Sequence, residues 1–302
     1  MEKILILINP GSGKSFPEEI ENEIKDRLSR RRIDYRILEL GADVGIQEVH
    51  SEIASYKPTI AVAAGGDGTV SLVAGAIRGK EIRLGILPMG SSNALAYQFG
   101  IPDDRSEALD IIMEGRSRKV DMILINEQHL CLHMCDLGMN ARVIRRYEQE
   151  NIRGLYGYAR QYLREMGNRE KFRVRVSDCS GKQLSAGAVM VVLANGPHYG
   201  TGAKVAPEGK PDDGEFEVVA IRSYPFWFLF YMLLSIFTGK VDVRRYSRIV
   251  RCREARIRVT PSQEMQVDGE VFGEHSEITA RILPGELKII SPDPFSEDPS
   301  HR

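Results

Sequence analysis

Three short loops rich in glycine, serine and asparagine follow apolar runs in the first hundred residues. The first loop (residues 9–14, NPGSGK) follows ILILI, the second (65–69, GGDGT) follows TIAVAA, and the third (90–93, GSSN) follows IRLGIL. Loops of this composition expose backbone N–H groups and small hydroxyls, which bind phosphate oxygens. If the apolar runs are parallel strands, the loops lie at the sheet edge where such folds bind ligands.

The first loop fits neither of the common nucleotide motifs. A Walker A sequence has a glycine five residues before its Gly-Lys-Ser, where this chain has Ile8. A dinucleotide fingerprint needs a third glycine where Phe16 stands. The remaining functional interpretation is a turn that binds an anion, in which Lys14 would neutralise phosphate charge. A turn built for steric reasons alone is the alternative.

The second loop is more informative because it contains Asp67. A carboxylate among anion-binding N–H groups is unfavourable unless it serves a metal ion or a proton transfer. We expect Thr69 to cap the helix that follows. In the third loop, Gly90, Ser91 and Asn93 offer polar groups to a phosphate, although capping of a helix near residue 94 would also explain them.

Two acidic turns in the second half of the chain supply further carboxylates. They are PDDGEF around Asp213 and QVDGE around Glu270. Phosphoryl transfer needs phosphate positioning, Mg²⁺ and a base, and Asp67, Asp213 and Glu270 are available for the last two. Asp-Gly is also a strong hairpin signal, so two plain hairpin turns are the alternative interpretation.

Alternating histidine and cysteine in HLCLHMC (residues 129–135) suggests a zinc site. On a strand, however, the outermost of these side chains are roughly 20 Å apart. One ion with bonds of about 2 Å cannot bind all four of them. The sequence therefore predicts a half-buried strand face. We expect the isolated His198 and His275 to be surface or packing residues.

The order of apolar runs predicts two domains. Strands alternate with helices to about residue 120, which predicts a Rossmann-like α/β domain, a parallel sheet with helices on both faces. The remainder predicts an antiparallel, β-rich and sandwich-like domain. We place the nucleotide-binding domain at 1–125, the substrate domain at 126–290, a disordered tail at 291–302 and the active site in the interdomain cleft. Strands are predicted at 121–125, 129–135, 171–178, 187–194, 215–222, 256–260, 264–268 and 277–283, with helices near 142–166 and 226–237.

Composition and charge restrict the class of protein. The chain has 302 residues, 42% hydrophobic and 27% charged, with a net charge of −1. This composition is globular and excludes a general nucleic-acid binder. Basic residues exceed acidic ones by six in 142–175 and by six in 240–258. Such stretches are solvated faces or a surface for anionic lipid.

Cysteine usage and one apolar segment bear on the compartment. Four cysteines give no disulfide framework, and the opening apolar run is too short for a secretory signal, so we expect a cytoplasmic protein with reduced thiols. The segment YPFWFLFYMLLSIF (224–237) is shorter than the about 20 residues needed to span a bilayer. It predicts a buried helix, with an interfacial segment or the wall of a lipid site as alternatives.

Taken together and in this order, the motifs resemble the catalytic domain of the diacylglycerol kinase and sphingosine kinase family, with NAD kinases as distant relatives. The resemblance rests on NPGSGK, GGDGT and PMGSSNALA, then on APEGKPDDGEFEVV (206–219) and MQVDGE (265–270). GGDGT alone would not separate lipid kinases from NAD kinases, whereas DDG and QVDGE in a β-rich second half favour lipid kinases. SSNALA is closer to the sphingosine kinase motif, which leaves the lipid acceptor open.

The resemblance implies a role for each matching residue. Glu270 would be the general base, Asp67 would lie near the phosphates and a catalytic Mg²⁺ or be the base itself, and Asp121 would support the site. Asp268 belongs to the same motif as Glu270 and is a further catalytic candidate. A structural Mg²⁺ would be held by Asp213 with the backbone carbonyls of Lys210 and Glu215. The ATP site would be lined by Asn9, Pro10, Gly11, Ser12, Gly13, Lys14, Gly65, Gly66, Asp67, Gly68, Thr69, Gly90, Ser91 and Asn93.

The sequence thus predicts an ATP- and Mg²⁺-dependent lipid kinase acting on a diacylglycerol-like or a sphingoid or ceramide-like alcohol. The alternatives are a kinase of a soluble nucleotide related to NAD kinase, and a regulator that binds ATP or lipid without turnover. The expected partners are a membrane-derived lipid, the inner membrane surface through peripheral contact, and a second copy of the chain; no nucleic acid is expected.

Overall fold

In a computed structural model the chain forms two compact units. The first comprises residues 1–120 together with the chain from Gly285 onward, and the second comprises Asp121–Pro284. The structure describes residues 2–10, 18–41, 45–149, 160–162, 164–165, 170–181, 183–199, 203–224 and 246–292.

The first unit alternates strands and helices. Its strands are β1 (Lys3–Ile8), β2 (Asp34–Glu39), β3 (Ile60–Gly65) and β4 (Arg83–Pro88), and its helices are α1 (Glu18–Arg30), α2 (Ile46–Tyr56), α3 (Asp67–Ile77), α4 (Ala94–Gln98) and α5 (Arg105–Glu114). The strands are parallel in the order β2-β1-β3-β4. Residues 4–8 of β1 and all of β3 are buried, as expected for the central strands of a covered parallel sheet.

Most of the remaining elements among the described residues are strands. Strand β5 (Ser117–Ile125) begins in the first unit. It is followed by β6 (His129–Cys131), β7 (Met134–Gly138), α6 (Met139–Gln149), β8 (Phe172–Asp178), β9 (Gln183–Ala188), β10 (Met190–Ala194), β11 (His198–Tyr199), β12 (Ala203–Lys204), β13 (Phe216–Ile221), β14 (Ser247–Cys252), β15 (Glu254–Val267) and β16 (Glu270–Ile290). Strand β16 ends in the first unit, where Lys288 pairs with Arg83 of β4 in parallel.

The sheet of the second unit is antiparallel. Strands run in the order β14-β13-β10-β7-β15-β16, and β8 pairs with β15 and β9. Alternate residues of β8, such as Val174 and Val176, pack with Ile257 and Val259 of β15 in one apolar core. The two units therefore confirm the predicted α/β domain followed by an antiparallel β domain.

Several predicted elements differ in detail. The separate strands 256–260 and 264–268 are parts of β15, and 277–283 is the middle of β16. HLCLHMC is not one strand, because the chain leaves β6 after Cys131 and enters β7 at Met134. Helix α3 begins at Asp67 with Gly66 at its N-cap, so Thr69 lies inside the helix and does not cap it as predicted.

Some predictions fall on parts of the chain that the structure does not describe. They include Gly11, Ser12, Gly13 and Lys14 of the first loop, residues 225–237 of the apolar segment and residues 293–302 of the tail. Of the predicted helix 142–166, the structure shows α6 up to Gln149. Within the described ranges, no helix is both long and apolar enough to cross a membrane.

Candidate functional site

The first and second loops are hydrogen-bonded to each other where β1 and β3 end. The backbone N–H of Asn9 donates to the carbonyl of Ala64 at 3.1 Å. The side-chain amide of Asn9 donates to the Thr69 hydroxyl at 3.3 Å, and Thr69 is buried within α3. The sequence predicted both residues for a phosphate site, and the structure places them in direct contact.

The second and third loops touch through two glycines. A Cβ built on Gly90 would lie 2.6 Å from the Cα of Gly66, and one built on Gly66 would lie 3.3 Å from the Cα of Gly90. The amide of Asn93, a residue with a positive φ of 53°, accepts the Gly90 N–H at 2.8 Å through Oδ1. Ser91 is exposed beside it. Described parts of all three predicted loops therefore meet at the carboxyl ends of β1, β3 and β4.

The Asp67 carboxylate lies at the N-termini of two helices. It is the first residue of α3, and its Oδ1 accepts the N–H of Leu95 in α4 at 2.9 Å. Burial raises the pKa of Asp67, and the N–H groups of Leu95 and Ala94 oppose that rise. Asp67 therefore has a third use beyond the two that the sequence suggested, since it caps α4 in place of Asn93, whose side chain makes no cap.

We expect Gly90→Ala to destabilise the first unit by about 1–3 kcal/mol, because its new Cβ would meet the backbone of Gly66. Gly68→Ala is the matched control, since a Cβ there meets nothing within 4 Å and alanine is favoured in a helix. Urea denaturation of both variants measures the difference. Equal stability of Gly90→Ala and the native chain would contradict the close approach of the two loops.

Glu270 follows a tight turn between β15 and β16. Asp268 and Gly269 form this turn with positive φ values of 46° and 95°, and Val267 pairs with Glu270 across it. Two central residues with φ > 0 are typical of a type I′ hairpin. Glu270 is exposed at the start of β16. The hairpin interpretation is therefore correct for this turn and leaves the Glu270 carboxylate accessible.

Asp268 points the other way and holds a neighbouring loop. Its carboxylate accepts the backbone N–H groups of Leu132 at 2.7 Å, His133 at 2.9 Å and Met134 at 2.9 Å. Burial raises the pKa of Asp268, and these three N–H groups lower it. These contacts join the hairpin to the connection between β6 and β7. They are typical of a residue that positions its neighbours, and Asp268 therefore has a positioning role.

A buried polar chain holds the other side of the same turn. The Gln266 side chain accepts the Gly269 N–H at 2.7 Å and donates to the carboxylate of Asp136. The amide of Asn140 donates to the same Asp136 oxygen at 2.9 Å. Gln266, Asp136 and Asn140 are almost completely buried. The turn before Glu270 is thus fixed from two directions.

Acidic side chains gather around Asp213, and we call Asp121, Asp213, Glu215, Glu217 and Arg251 the acidic corner. Asp121 is buried, and its Oδ2 accepts the N–H of Gly214 at 2.7 Å. Arg251 pairs with Asp213 and with Glu215 at 2.8 Å, and lies 3.6 Å from Glu217. Burial, opposed by Arg251, raises the pKa of Glu217 to about 7 and also raises that of Asp213. This turn joins no paired strands, so the hairpin interpretation is wrong here.

The acidic corner offers oxygen donors of the kind that Mg²⁺ binds. Three carboxylates face one shared guanidinium, and oxygen donors beside excess negative charge suit this ion. Yet within the described ranges no three His, Cys, Asp or Glu side chains converge as metal ligands do. Mg²⁺ commonly takes one carboxylate with carbonyls and water. The residues therefore fit such an ion only if Asp213 is joined by backbone carbonyls, such as those predicted at Lys210 and Glu215.

Two basic stretches form ion pairs within the second unit. Arg142 and Arg146 pair with the buried Glu165 at 3.1 and 2.6 Å, and Arg145 pairs with the buried Glu264 at 2.6 Å. From the second stretch, Arg251 belongs to the acidic corner. These arginines are paired with carboxylates of their own unit, which weakens the interpretation of both stretches as surfaces for anionic lipid.

His133 and two cysteines near the hairpin are buried. His133 is 9% exposed, and burial, aided by the neighbouring His198, lowers its pKa to about 4. Burial also raises the pKa of the Cys131 and Cys135 thiols well above the usual range. All four cysteines are free, as the sequence predicted.

We expect His133 to cost the native chain stability as the pH falls from about 6.5 to 4, although the raised pKa of Glu217 adds stability over a similar range. The unfolded chain protonates His133 near pH 6.5, whereas the folded chain resists protonation until about pH 4. His133→Gln should remove up to about 3 kcal/mol of this loss. Urea denaturation at pH 7 and pH 4.5 measures it, with His50→Gln, an exposed residue of α2, as the control. An unchanged pH dependence in His133→Gln would refute it.

Sequence reasoning missed one buried residue that joins parts of the second unit. Asn195 donates through its side chain to the carbonyls of Asp121 at 2.7 Å and Leu132 at 2.9 Å. It thereby links the acidic corner to the loop that Asp268 holds. The sequence indicates Asn195 only by its position, as a polar residue that directly follows the apolar strand β10.

Two family models match the chain. Residues 3–125 match the diacylglycerol kinase catalytic domain, and residues 134–291 match the YegS C-terminal NAD kinase beta sandwich-like domain. Among curated relatives, a diacylglycerol kinase from Staphylococcus aureus (strain bovine RF122 / ET3-1) is 26% identical over 279 residues, which cover 89% of this chain and 86% of that protein.

Solved structures share the fold. A diacylglycerol kinase from Bacillus anthracis str. Sterne has a TM-score of 0.74 and 20% identity, covering 97% of each chain. An NAD kinase from Archaeoglobus fulgidus in complex with ATP has a TM-score of 0.54 and 10% identity, covering 96% of this chain and 94% of that one. The second of the two family models alone covers more than half of the chain, and the catalytic-domain model covers residues 3–125, so this protein belongs to the diacylglycerol kinase and YegS family of lipid kinases.

Proposed function

We propose that this kinase transfers the γ-phosphoryl group of ATP, with Mg²⁺, to the hydroxyl of a lipid alcohol. The observation that carries the proposal is the meeting of three small-residue loops at the carboxyl ends of β1, β3 and β4. Exposed N–H groups at such an edge are suited to the phosphates of ATP. The described residues Asn9, Gly66, Thr69, Gly90 and Ser91 would contribute to that site.

Glu270 is proposed as the base that takes the proton of the acceptor hydroxyl. It is exposed, and its turn is fixed by contacts of Asp268 and Gln266. Asp67 is the alternative base, but one of its oxygens already accepts an N–H of α4. We therefore assign Asp67 to the region of the phosphates. When bound, Mg²⁺ would neutralise charge on the transferring phosphoryl group.

The acidic corner would be the structural Mg²⁺ site of this proposal, through Asp213 and the carbonyls of Lys210 and Glu215. The three carboxylates around Arg251 support it. Titration of the apo chain with Mg²⁺, monitored by thermal denaturation, tests this assignment. We expect stabilisation of the native chain and less stabilisation of Asp213→Asn, and an equal response of both would refute it.

The acceptor is tested by transfer of labelled γ-phosphate from Mg·ATP in mixed micelles. The panel contains diacylglycerol, sphingosine, ceramide and phosphatidylglycerol, with NAD as the soluble control. Label on one lipid, and none on NAD, supports a lipid kinase and identifies its acceptor. Label on NAD alone favours the soluble-nucleotide kinase, and ATP binding without any label favours the regulator.

A further inference from the structure

The first unit contains a basic pocket at the sheet edge opposite to the three loops. The pocket has a volume of about 350 Å³, which lies within the range of about 300–1,000 Å³ typical of small-molecule sites. Arg83 begins β4, Ser117 begins β5, and Thr59 directly precedes β3. Strand β4 separates this edge from the third loop by roughly 17 Å. The lining residues are Thr59, Glu81, Arg83, Ser117, Arg118, Lys119 and Lys288.

The pocket carries an excess of positive charge in a protein whose net charge is −1. Four cations line it against one lining carboxylate, Glu81. Glu81 pairs with Lys288, and the proximity of Lys288 and then Lys119 lowers the pKa of Glu81. The Glu81 side chain is 89% exposed, so this ion pair competes with water and contributes little stability. An anion of higher charge could replace that carboxylate.

Two of the other cations are held by backbone carbonyls. Arg83 donates to the Gly115 carbonyl at 2.8 Å and pairs with Glu2 at 2.6 Å. Arg118 donates to the Pro292 carbonyl at 2.8 Å. Carbonyls orient a guanidinium without neutralising its charge, so the cations are fixed in place while the positive excess remains. Even with Glu2 included, cations outnumber carboxylates by two.

We propose that this pocket binds a phosphate monoester. Two guanidinium groups and two ammonium groups beside the hydroxyl-bearing Ser117 are the donor types that phosphate recognition uses. The doubly charged monoester gains more from the positive excess than a singly charged diester does. Its source is either a soluble phosphorylated metabolite or the headgroup of a phosphomonoester lipid. The site is separate from the proposed ATP loops and does not depend on the proposed reaction.

Equilibrium dialysis of the full chain with labelled inorganic phosphate tests the proposal. A saturating non-hydrolysable ATP analogue occupies any nucleotide site, so the remaining binding reports on the pocket. We expect the double variant Arg118→Gln/Lys119→Gln to bind phosphate about tenfold more weakly or worse. The matched control, Lys25→Gln/Arg30→Gln, removes one lysine and one arginine from α1 and should bind as the native chain does. Thermal denaturation verifies that both double variants are folded.

Two further arms separate the sources of the phosphate. Glycerol 3-phosphate competes in the dialysis if the ligand is soluble. If the ligand is a lipid headgroup, the native chain sediments with phosphatidylcholine vesicles that contain phosphatidic acid and not with vesicles that contain phosphatidylglycerol instead. The pocket variant then no longer sediments with the phosphatidic acid vesicles. Either result supports the monoester site. Absence of saturable phosphate binding, or equal binding by the pocket variant and the native chain, overturns it.

Discussion

Glu270→Gln is expected to lower kcat for phosphoryl transfer by about 100-fold or more, because glutamine has the shape of glutamate but cannot take a proton at neutral pH. Glu270 is exposed at the start of β16, so the change should alter the free energy of unfolding by no more than about 0.5 kcal/mol. Affinity for ATP should also be unchanged. Initial rates with the acceptor found in the lipid panel, together with urea denaturation, measure all three.

The matched control for this prediction lies on the same strand. Glu274 is also exposed and accepts the Ser262 hydroxyl at 2.8 Å. Glu274→Gln therefore removes the same charge four residues away and should keep the native kcat. If Glu270→Gln keeps the native kcat while Asp67→Asn abolishes it, Asp67 is the base and the assignment of Glu270 is wrong.

The three loops could be predicted because their features are local in the sequence. Apolar runs that end in small polar residues indicate strand ends, and ends of parallel strands share an edge. The prediction of Thr69 as the N-cap placed the start of α3 three residues too late. Gly66 and Gly68 suggested a turn at this position, because glycine favours turns over helices. The structure places Gly66 at the N-cap and Gly68 in the first turn of the helix.

The partners of the acidic residues could not be predicted, because they depend on contacts between distant parts of the chain. Asp268 and the N–H of Leu132 are 136 residues apart, and Arg145 and Glu264 are 119 apart. Asp-Gly predicts the same turn whether the carboxylate faces water or the protein. The sequence thus located the turn before Glu270 but could not show that Asp268 faces inward.

Asp268→Asn is expected to destabilise the second unit by about 2–4 kcal/mol. An amide can accept two of the three N–H groups of residues 132–134 through its oxygen, but its NH₂ group then meets the third, and the charge that strengthens all three bonds is lost. The backbone adds no penalty, since asparagine tolerates the φ of 46° at this position. Urea denaturation at pH 7 measures the loss.

The same variant should lower kcat about 10- to 100-fold at temperatures where it remains folded, because Glu270 is two residues from the disturbed contact and small displacements of a base are costly. Asp178→Asn is the control. Its carboxylate accepts the Ser180 hydroxyl at 2.7 and 2.8 Å in another turn of the same unit, and both stability and kcat should be native. A destabilised Asp268→Asn with native kcat would show that Asp268 supports the fold without positioning Glu270, since a loss of stability alone does not change the turnover of molecules that remain folded.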